Sequence, residues 1–317
     1  VTSPCSMALS WLTRAAVLWR WRSQQESLKA QLVELDDFEW SPRPGPSEGD
    51  AAPSKRLRRV GGLDISFFGE ENGSDDSRAC VAFVVCEFDE AMENFSLIWK
   101  DFEFVSITEP YIPGFLAFRE APHYCRILGK LLKSRPELMP DVVIVDGNGI
   151  LHPRGFGVAS HVGVLSGLCT VGMAKNLHII DGLDRAKIRE QCGASTSSSV
   201  PLVGESGRVW GAALLPAPRA VKRYEKTAIN PVFVSVGHRV SLETCVEVVR
   251  LCLLTSRVPE PVRLADLLSR EQVRLAKESE ALVLSRESGR GRLFPAMGAV
   301  AILVLVGTFA GLRRRWK

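Results

Sequence analysis

The sequence predicts an α/β fold, a mixed sheet with an antiparallel three-strand meander flanked by helices. Two observations carry this expectation. The first is the order of apolar runs in the middle of the chain. Stretches 59–68, 79–88 and 95–104 are rich in β-branched and aromatic residues. They are joined by short polar links such as Asn72-Gly73-Ser74-Asp75, the pattern of strands that fold back on one another. The second is a pair of apolar runs that each end on an aspartate, Gly61-Gly62-Leu63-Asp64-Ile65-Ser66-Phe67 and Val142-Val143-Ile144-Val145-Asp146-Gly147-Asn148-Gly149. Both read as buried strands, and the second is bounded by a turn signal.

Between and after these strands the period changes. Residues 117–134 carry Ile127, Leu128, Leu131 and Leu132 at helical spacing. After the strand ending at Asp146 come a Gly-rich loop, a helix near 157–167 and a strand near 169–173. A strand over 232–236 and a helix from Ser241 to about Thr255 follow later. Ser269-x-x-Gln272 has the form of a capping box and predicts a last helix starting at Ser269. The Ser/Gly-rich segment 191–206 reads as a surface loop. At the N-terminus, Arg14 interrupts the apolar run and no clean cleavage site follows, so a secretory signal fits badly; a mitochondrial presequence is the alternative to a helix over 17–35 with Leu28, Leu32 and Leu35 on one face. Residues 41–55, rich in Pro, Gly and Ser, read as a linker.

These boundaries divide the chain into an N-terminal helix and linker (1–58), one α/β domain (59–280) and a basic tail (281–317). The tail contains a run, 296–312, of seventeen uncharged residues followed by Arg313-Arg314-Arg315-Trp316-Lys317. As a helix it would span about 25 Å at roughly 1.5 Å per residue, the short limit for a bilayer anchor. The alternative is a segment that packs on the surface or takes no structure.

The overall charge of +4 conceals a division. Residues 281–317 hold seven Lys/Arg against one acid, whereas 59–280 hold 25 against 28, a net of −3. The central domain is therefore not a diffuse polycation. It would bind nucleic acid through a local patch, with a cation offsetting the acids of its site. The eight cysteines are scattered with no CxxC pair, which excludes a zinc ribbon and favours reduced thiols over a disulfide framework.

A carboxylate at the end of a buried strand is costly unless it is paired or holds a cation. Two on neighbouring strands would set hard oxygen ligands side by side, a geometry suited to Mg²⁺ or Mn²⁺. The bland alternative is that each aspartate caps a turn. The order meander, helix, strand, helix, strand is that of the ribonuclease H-like fold, in which the first and fourth strands are neighbours, so Asp64 and Asp146 are expected to meet. Glu120, in Phe118-Arg119-Glu120, opens the first long helix; alone it reads as a carboxylate favoured by the helix dipole. His238, in Val234-Ser235-Val236-Gly237-His238, is ordinarily structural, and beside three acids it becomes a candidate for activating water. Pro110-Tyr111-Ile112-Pro113 is either an ordinary proline turn or a stiffened loop presenting an aromatic ring.

Several long motifs in order make the chain similar to the endonuclease V family: RVGGLDISF, EPYIPGFLAFRE, PDVVIVDGNGILHPRGFGVASHVGV, VGMAKNL and VFVSVGHRVSLE. The further stretch RVPEPVRLADLLSRE resembles animal members. The resemblance spans roughly 59–272. It implies a metal site of Asp64, Asp146 and Glu120 with Mg²⁺ as the ion, which Mn²⁺ can replace. His238 would assist there, and Lys175 of Gly172-Met173-Ala174-Lys175-Asn176 would lie near the scissile phosphate. Pro110, Tyr111, Ile112 and Pro113 correspond to a wedge pushed into the nucleic acid. Gly114, Leu116, Gly147, Gly149, His152 and Gly157 would line the pocket for the extruded base. Hypoxanthine offers an acceptor at O6 and a donor at N1–H, an edge that main-chain groups can read where no side chain intervenes.

The function so implied is metal-dependent hydrolysis of the second phosphodiester bond 3′ to inosine, leaving a 3′-hydroxyl and a 5′-phosphate. Single-stranded RNA is the favoured substrate, deoxyinosine in DNA the alternative, and a non-cleaving inosine-binding module the alternative of another class. A monomer acting in the cytoplasm or nucleus, including the nucleolus, is expected, with membrane association through 296–312 if that run is an anchor.

Overall fold

The β-branched runs pair into one eight-stranded sheet in the computed structural model, which describes residues 4–42, 55–69, 77–90, 92, 95–195, 197–215, 230–254 and 256–289. Helix α1 (Pro4–Lys29) is followed by a short parallel pair, β1 (Trp40–Ser41) and β2 (Lys55–Arg56). Then come β3 (Arg59–Phe67), β4 (Arg78–Phe88), β5 (Phe95–Ser106), α2 (Ala117–Ser134), β6 (Val142–Asp146), α3 (Val158–Ser166) and β7 (Thr170–Ala174). The remainder is α4 (Arg185–Ala194), β8 (Ser199–Val203), β9 (Val209–Leu214), β10 (Val232–His238), α5 (Leu242–Cys252) and α6 (Glu260–Gly289).

The strand order is β5-β4-β3-β6-β7-β10-β9-β8. The meander predicted from sequence is present, with β3 antiparallel to β4 and β4 to β5. Strand β6 runs parallel to both β3 and β7, and β10 runs antiparallel to β7. Helix α2 packs one apolar face, with Tyr124, Ile127, Leu128 and Leu131, on Leu63, Phe83, Val143 and Val145. On the other face, α5 contributes Val248 and Val249 to a core with Val60, Ile144, Val171 and Val234. There α6 lays Ala265 against Ala82, Val84 and Cys86. This is the layered arrangement expected when both faces of a partly parallel sheet are buried.

Three expectations need correction. Helix α1 ends at Lys29, so Leu32 and Leu35 lie beyond it and Leu35 is exposed. The stretch 191–206 is not a simple surface loop: the end of α4 and strand β8 occupy it, because Cys192, Val200 and Leu202 bury against Ile188 and Phe233. Its serines conceal this alternation. The last helix starts at Glu260, with Pro261 in its first turn where a missing N–H is harmless. Ser269 is inside that helix and fully buried, not its cap.

Residues 1–274 form one compact unit and 275–317 a second, of which the helical stretch to Gly289 is described. Most of the linker and the whole run 296–312 lie outside the described residues. Among the described residues no helix is long and apolar enough to cross a membrane.

The approach of α6 to the sheet depends on Gly62. A Cβ at that position would collide with the Pro261 carbonyl. Gly62→Ala is therefore expected to destabilise the fold by about 1–3 kcal/mol, as overpacking typically does, lowering the thermal midpoint by about 2–4 °C per kcal/mol. A melting curve unchanged from wild type would show that the helix does not press on the strand there.

Candidate active site

Parallel pairing of β3 with β6 matches Leu63 to Val145, which sets Asp64 and Asp146 abreast on adjacent strands. Neighbouring strands lie about 4.8 Å apart, and paired residues point to the same face. Here it is the face that α6 covers. Asp64 is only 6% exposed, and its Oδ2 accepts a hydrogen bond from the Ser269 hydroxyl at 2.7 Å. Asp146 Oδ2 accepts from Lys175 Nζ at 2.7 Å. The same ammonium is 3.8 Å from Asp266 Oδ1, which Arg270 approaches to 2.9 Å.

The electrostatics follow from this crowding. Burial, above all, and the carboxylates of Asp146 and Asp266 push the Asp64 carboxyl up to about 7, although the Ser269 hydrogen bond and Lys175 oppose the shift. Burial pulls the Lys175 ammonium down, but attraction by Asp146, Asp266 and Asp64 outweighs it, and its pKa is raised. Acidic oxygens outnumber the cations among them.

Beside Asp146 opens a cavity of about 160 Å³, lined by Gln25, Gly114, Leu116, Glu120, Gly147, Asn148, His152, Phe156, Gly157 and His178 among others. Glu120, from the first turn of α2, thus faces the same space as Asp146. The floor is a folded loop in which the Gly157 N–H donates to the Gly149 carbonyl and the Ile150 N–H to the Val236 carbonyl. A side chain at Gly157 would strike the Asn148 carbonyl, so the backbone itself forms this wall. His152 is buried and its imidazole is pushed down to about 3, first by burial and then by Arg154 and His178; it is neutral at physiological pH. The Arg154 N–H donates to its Nδ1 at 3.2 Å.

At the rim, Tyr111 is 39% exposed, with the Arg119 guanidinium 5.5 Å from its ring centroid. Pro110 and Pro113 are exposed, whereas Ile112 is buried with Trp21, Phe115 and Phe118. The loop is therefore fastened by Ile112 and presents Tyr111 outward.

The structure brings together most of the residues singled out from sequence: Asp64, Asp146, Glu120 and Lys175, with Gly114, Leu116, Gly147, His152 and Gly157 on the cavity. Two stand elsewhere. Gly149 lies behind the wall, where a Cβ would strike the Val236 carbonyl and where its N–H donates to Ser235 Oγ at 2.9 Å. His238 pairs with Thr170, at the opposite end of β7 from Met173, the partner of Asp146. Three residues of strand separate the two levels by about 10 Å. The His238 Nδ1 accepts from the Val33 N–H at 3.3 Å, a contact that holds the segment after α1. It is not placed to touch the carboxylates. Sequence reasoning missed Asp266 and Ser269 although both stand in the quoted RVPEPVRLADLLSRE, because the capping-box pattern put the helix start at Ser269 and left Asp266 outside it.

Among the described residues no three His, Cys, Asp or Glu side chains are drawn around a single point. The donor chemistry nonetheless fits a hard divalent ion. Asp64, Asp146, Glu120 and Asp266 offer only oxygen, and the buried Asp64 carboxyl sits among like charges that a cation would relieve.

A mixed sheet of this order, with carboxylates abreast on two adjacent parallel strands, defines a ribonuclease H-like nuclease fold. The comparisons with known proteins narrow this. The chain matches the family model for Endonuclease V over residues 47–267, well over half of its length. It is 41% identical to human Endonuclease V over 257 residues, covering 80% of this chain and 82% of that protein. The crystal structure of human ENDOV superposes with a TM-score of 0.69 over 82% of this chain and 99% of that one. Endonuclease V of Ciona intestinalis, crystallised with DNA containing an inosine followed by a ribo-adenosine, is 30% identical, with a TM-score of 0.67 over 82% of this chain and 99% of that one. The chain belongs to the endonuclease V family, and it is a nuclease of that family.

A carboxyl whose folded-state pKa is raised binds protons more tightly folded than unfolded, so its contribution to stability is present at low pH and is lost as pH rises. For Asp64 the window runs from about 3.8 to about 7. In metal-free protein, Asp64→Asn is expected to abolish that part of the decline and to raise the melting temperature at pH 8, by about 2–4 °C for each kcal/mol recovered. Thermal scans from pH 4 to 8 test this; parallel curves for the two proteins would refute it.

Proposed function

We propose that the protein is an Mg²⁺-dependent endonuclease that cuts single-stranded RNA at the second phosphodiester bond 3′ to inosine, leaving a 3′-hydroxyl and a 5′-phosphate. The observation that carries this reading is the juxtaposition, at Asp146, of the paired Asp64 and Asp146 carboxylates with a small cavity lined in part by glycine backbone. One half can hold a cation against a phosphate and the other can hold a base.

Asp64 and Asp146, with Glu120 across the cavity, are the residues assigned to the ion, which when bound would polarise the scissile phosphate and stabilise the charge that develops on its oxygens. Lys175, held 2.7 Å from Asp146, is positioned to offset negative charge on the phosphate as the nucleophile adds. The backbone at Gly114, Gly147 and Gly157 and the neutral imidazole of His152 can read the hypoxanthine edge. A base reaches such a pocket only if it is unpaired or turned out of the stack, and the exposed ring of Tyr111 can replace the stacking it leaves behind.

The preference for RNA is supported by the animal-like RVPEPVRLADLLSRE stretch and by the ribo-adenosine that follows inosine in the Ciona complex. A second reading, deoxyinosine in DNA, draws support from the DNA that forms the rest of that ligand. Matched oligonucleotides carrying inosine in RNA or deoxyinosine in DNA, incubated with Mg²⁺, separate the two. Faster cleavage of the RNA is expected, equal or faster cleavage of the DNA transfers the assignment, and binding without cleavage of either removes the nuclease reading.

Asp64→Ala and Asp146→Ala are each expected to reduce cleavage of inosine RNA at least tenfold while oligonucleotide binding stays within a few-fold; a variant retaining more than a tenth of wild-type rate would dissolve the two-carboxylate site. Tyr111→Ala should slow cleavage of base-paired substrate more than of single-stranded substrate, the lost stacking being worth roughly 1–3 kcal/mol per base. Equal losses on the two substrates would make the ring a structural element only.

A further inference from the structure

Helix α1 precedes the linker and stands outside the domain assigned to chemistry from sequence, yet one of its side chains reaches the base cavity. Gln25 is 1% exposed and lies on the cavity wall. Its Nε2 donates to the Phe156 carbonyl at 2.8 Å, and its Oε1 accepts from Arg154 Nε. The Arg154 guanidinium also donates to the Gly114 carbonyl and lies over the Phe115 ring, 3.9 Å from its centroid. Lys29, one turn further along α1, donates to the Arg154 carbonyl at 2.7 Å. Trp21, one turn earlier, stacks on Phe118 at 4.9 Å between centroids.

These contacts make one connected clamp. Gly114 ends the Tyr111 loop, Phe156 and Gly157 form the cavity floor, and the Gln25 side chain is bonded to both Arg154 and the floor. Burial magnifies its role: without Gln25 the buried Phe156 carbonyl would lose its side-chain partner away from water. The loops are therefore held at the spacing that Gln25 dictates.

We propose that Gln25 is a positioning residue for base selection. Acting through Arg154 and the Phe156 carbonyl, it fixes the distance between the aromatic loop and the pocket floor and so makes the cavity discriminate hypoxanthine from an empty or differently shaped occupant. This rests on the inosine-directed reading above. It makes α1 part of the recognition apparatus.

The test uses the full chain and oligonucleotide binding without divalent ions, so that no hydrolysis occurs. The probes are one RNA sequence bearing either inosine or an abasic ribose at the same position. In wild type, inosine should bind more tightly than the abasic site; no difference there would overturn the inosine-directed reading itself. Gln25→Met is expected to shrink the inosine-over-abasic preference at least tenfold while abasic binding stays within twofold. Gln25→Glu keeps an acceptor for Arg154 but has no N–H to donate to the Phe156 carbonyl, so it too should lose at least half of the preference on a logarithmic scale. A merely structural role would weaken both ligands together. Equal loss on both probes, an unchanged preference in Gln25→Met, or a Gln25→Glu variant that keeps more than half of the preference would each overturn the proposal.

Discussion

Two carboxylates held abreast on adjacent parallel strands repel each other, and the surrounding structure is arranged around that repulsion. The pairing of Leu63 with Val145 leaves Asp64 and Asp146 no freedom to separate, because the register of a buried strand cannot slip without turning its apolar side chains to the wrong face. Ser269 donates to the one, Lys175 to the other, and Lys175 also faces Asp266. Both compensations come from outside the pair, one from the turn after β7 and one from α6. The helix that brings Ser269 can approach closely only because β3 carries a glycine at residue 62. A site that would lower the stability of an isolated sheet is in this way made tolerable by its neighbours, a common feature of residues kept for binding a cation.

Much of this was legible in the sequence. Strand period and turn chemistry identified the meander, and an aspartate in each of two apolar runs marked the pair, although only Asp146 ends its strand and β3 runs past Asp64 to Phe67. Helix α2, with Glu120 in its first turn, was equally plain. What could not be read depended on where distant elements land. Asp266 and Ser269 look like surface and cap residues until α6 is extended back to Glu260, and a local capping pattern argued against that extension. His238 follows an apolar strand just as Asp146 does, but β10 runs antiparallel to β7, so the end of β10 points away from the site. A sequence shows where a strand stops; strand direction decides which end of the sheet that is. Gly149 illustrates the finer limit, since the glycines of one loop divide between lining a cavity and allowing the backbone of β10 to pass close behind it.

The same loop explains why the cavity is fixed. Behind its wall main chain is tied to main chain, from Gly157 to Gly149 and from Ile150 to Val236, and the buried His152 is uncharged. Neutral donors and acceptors on a hydrogen-bonded loop hold their positions before a ligand arrives, so little ordering is left to be done on binding.

The contacts that complete the site join residues remote along the chain. Gln25 and Phe156 are 131 positions apart, and Ser269 and Asp64 are 205 apart. Closing such loops carries an entropy that must be overcome before the contact rewards it. A chain emerging from the ribosome would complete β3, β6 and β7 well before α6 is available to cover Asp64. A product that stops short of α6 would carry every strand of the sheet and the acid pair but neither Ser269 nor Asp266, leaving Asp64 uncovered. The covering of the acid pair is thereby tied to the synthesis of nearly the whole fold.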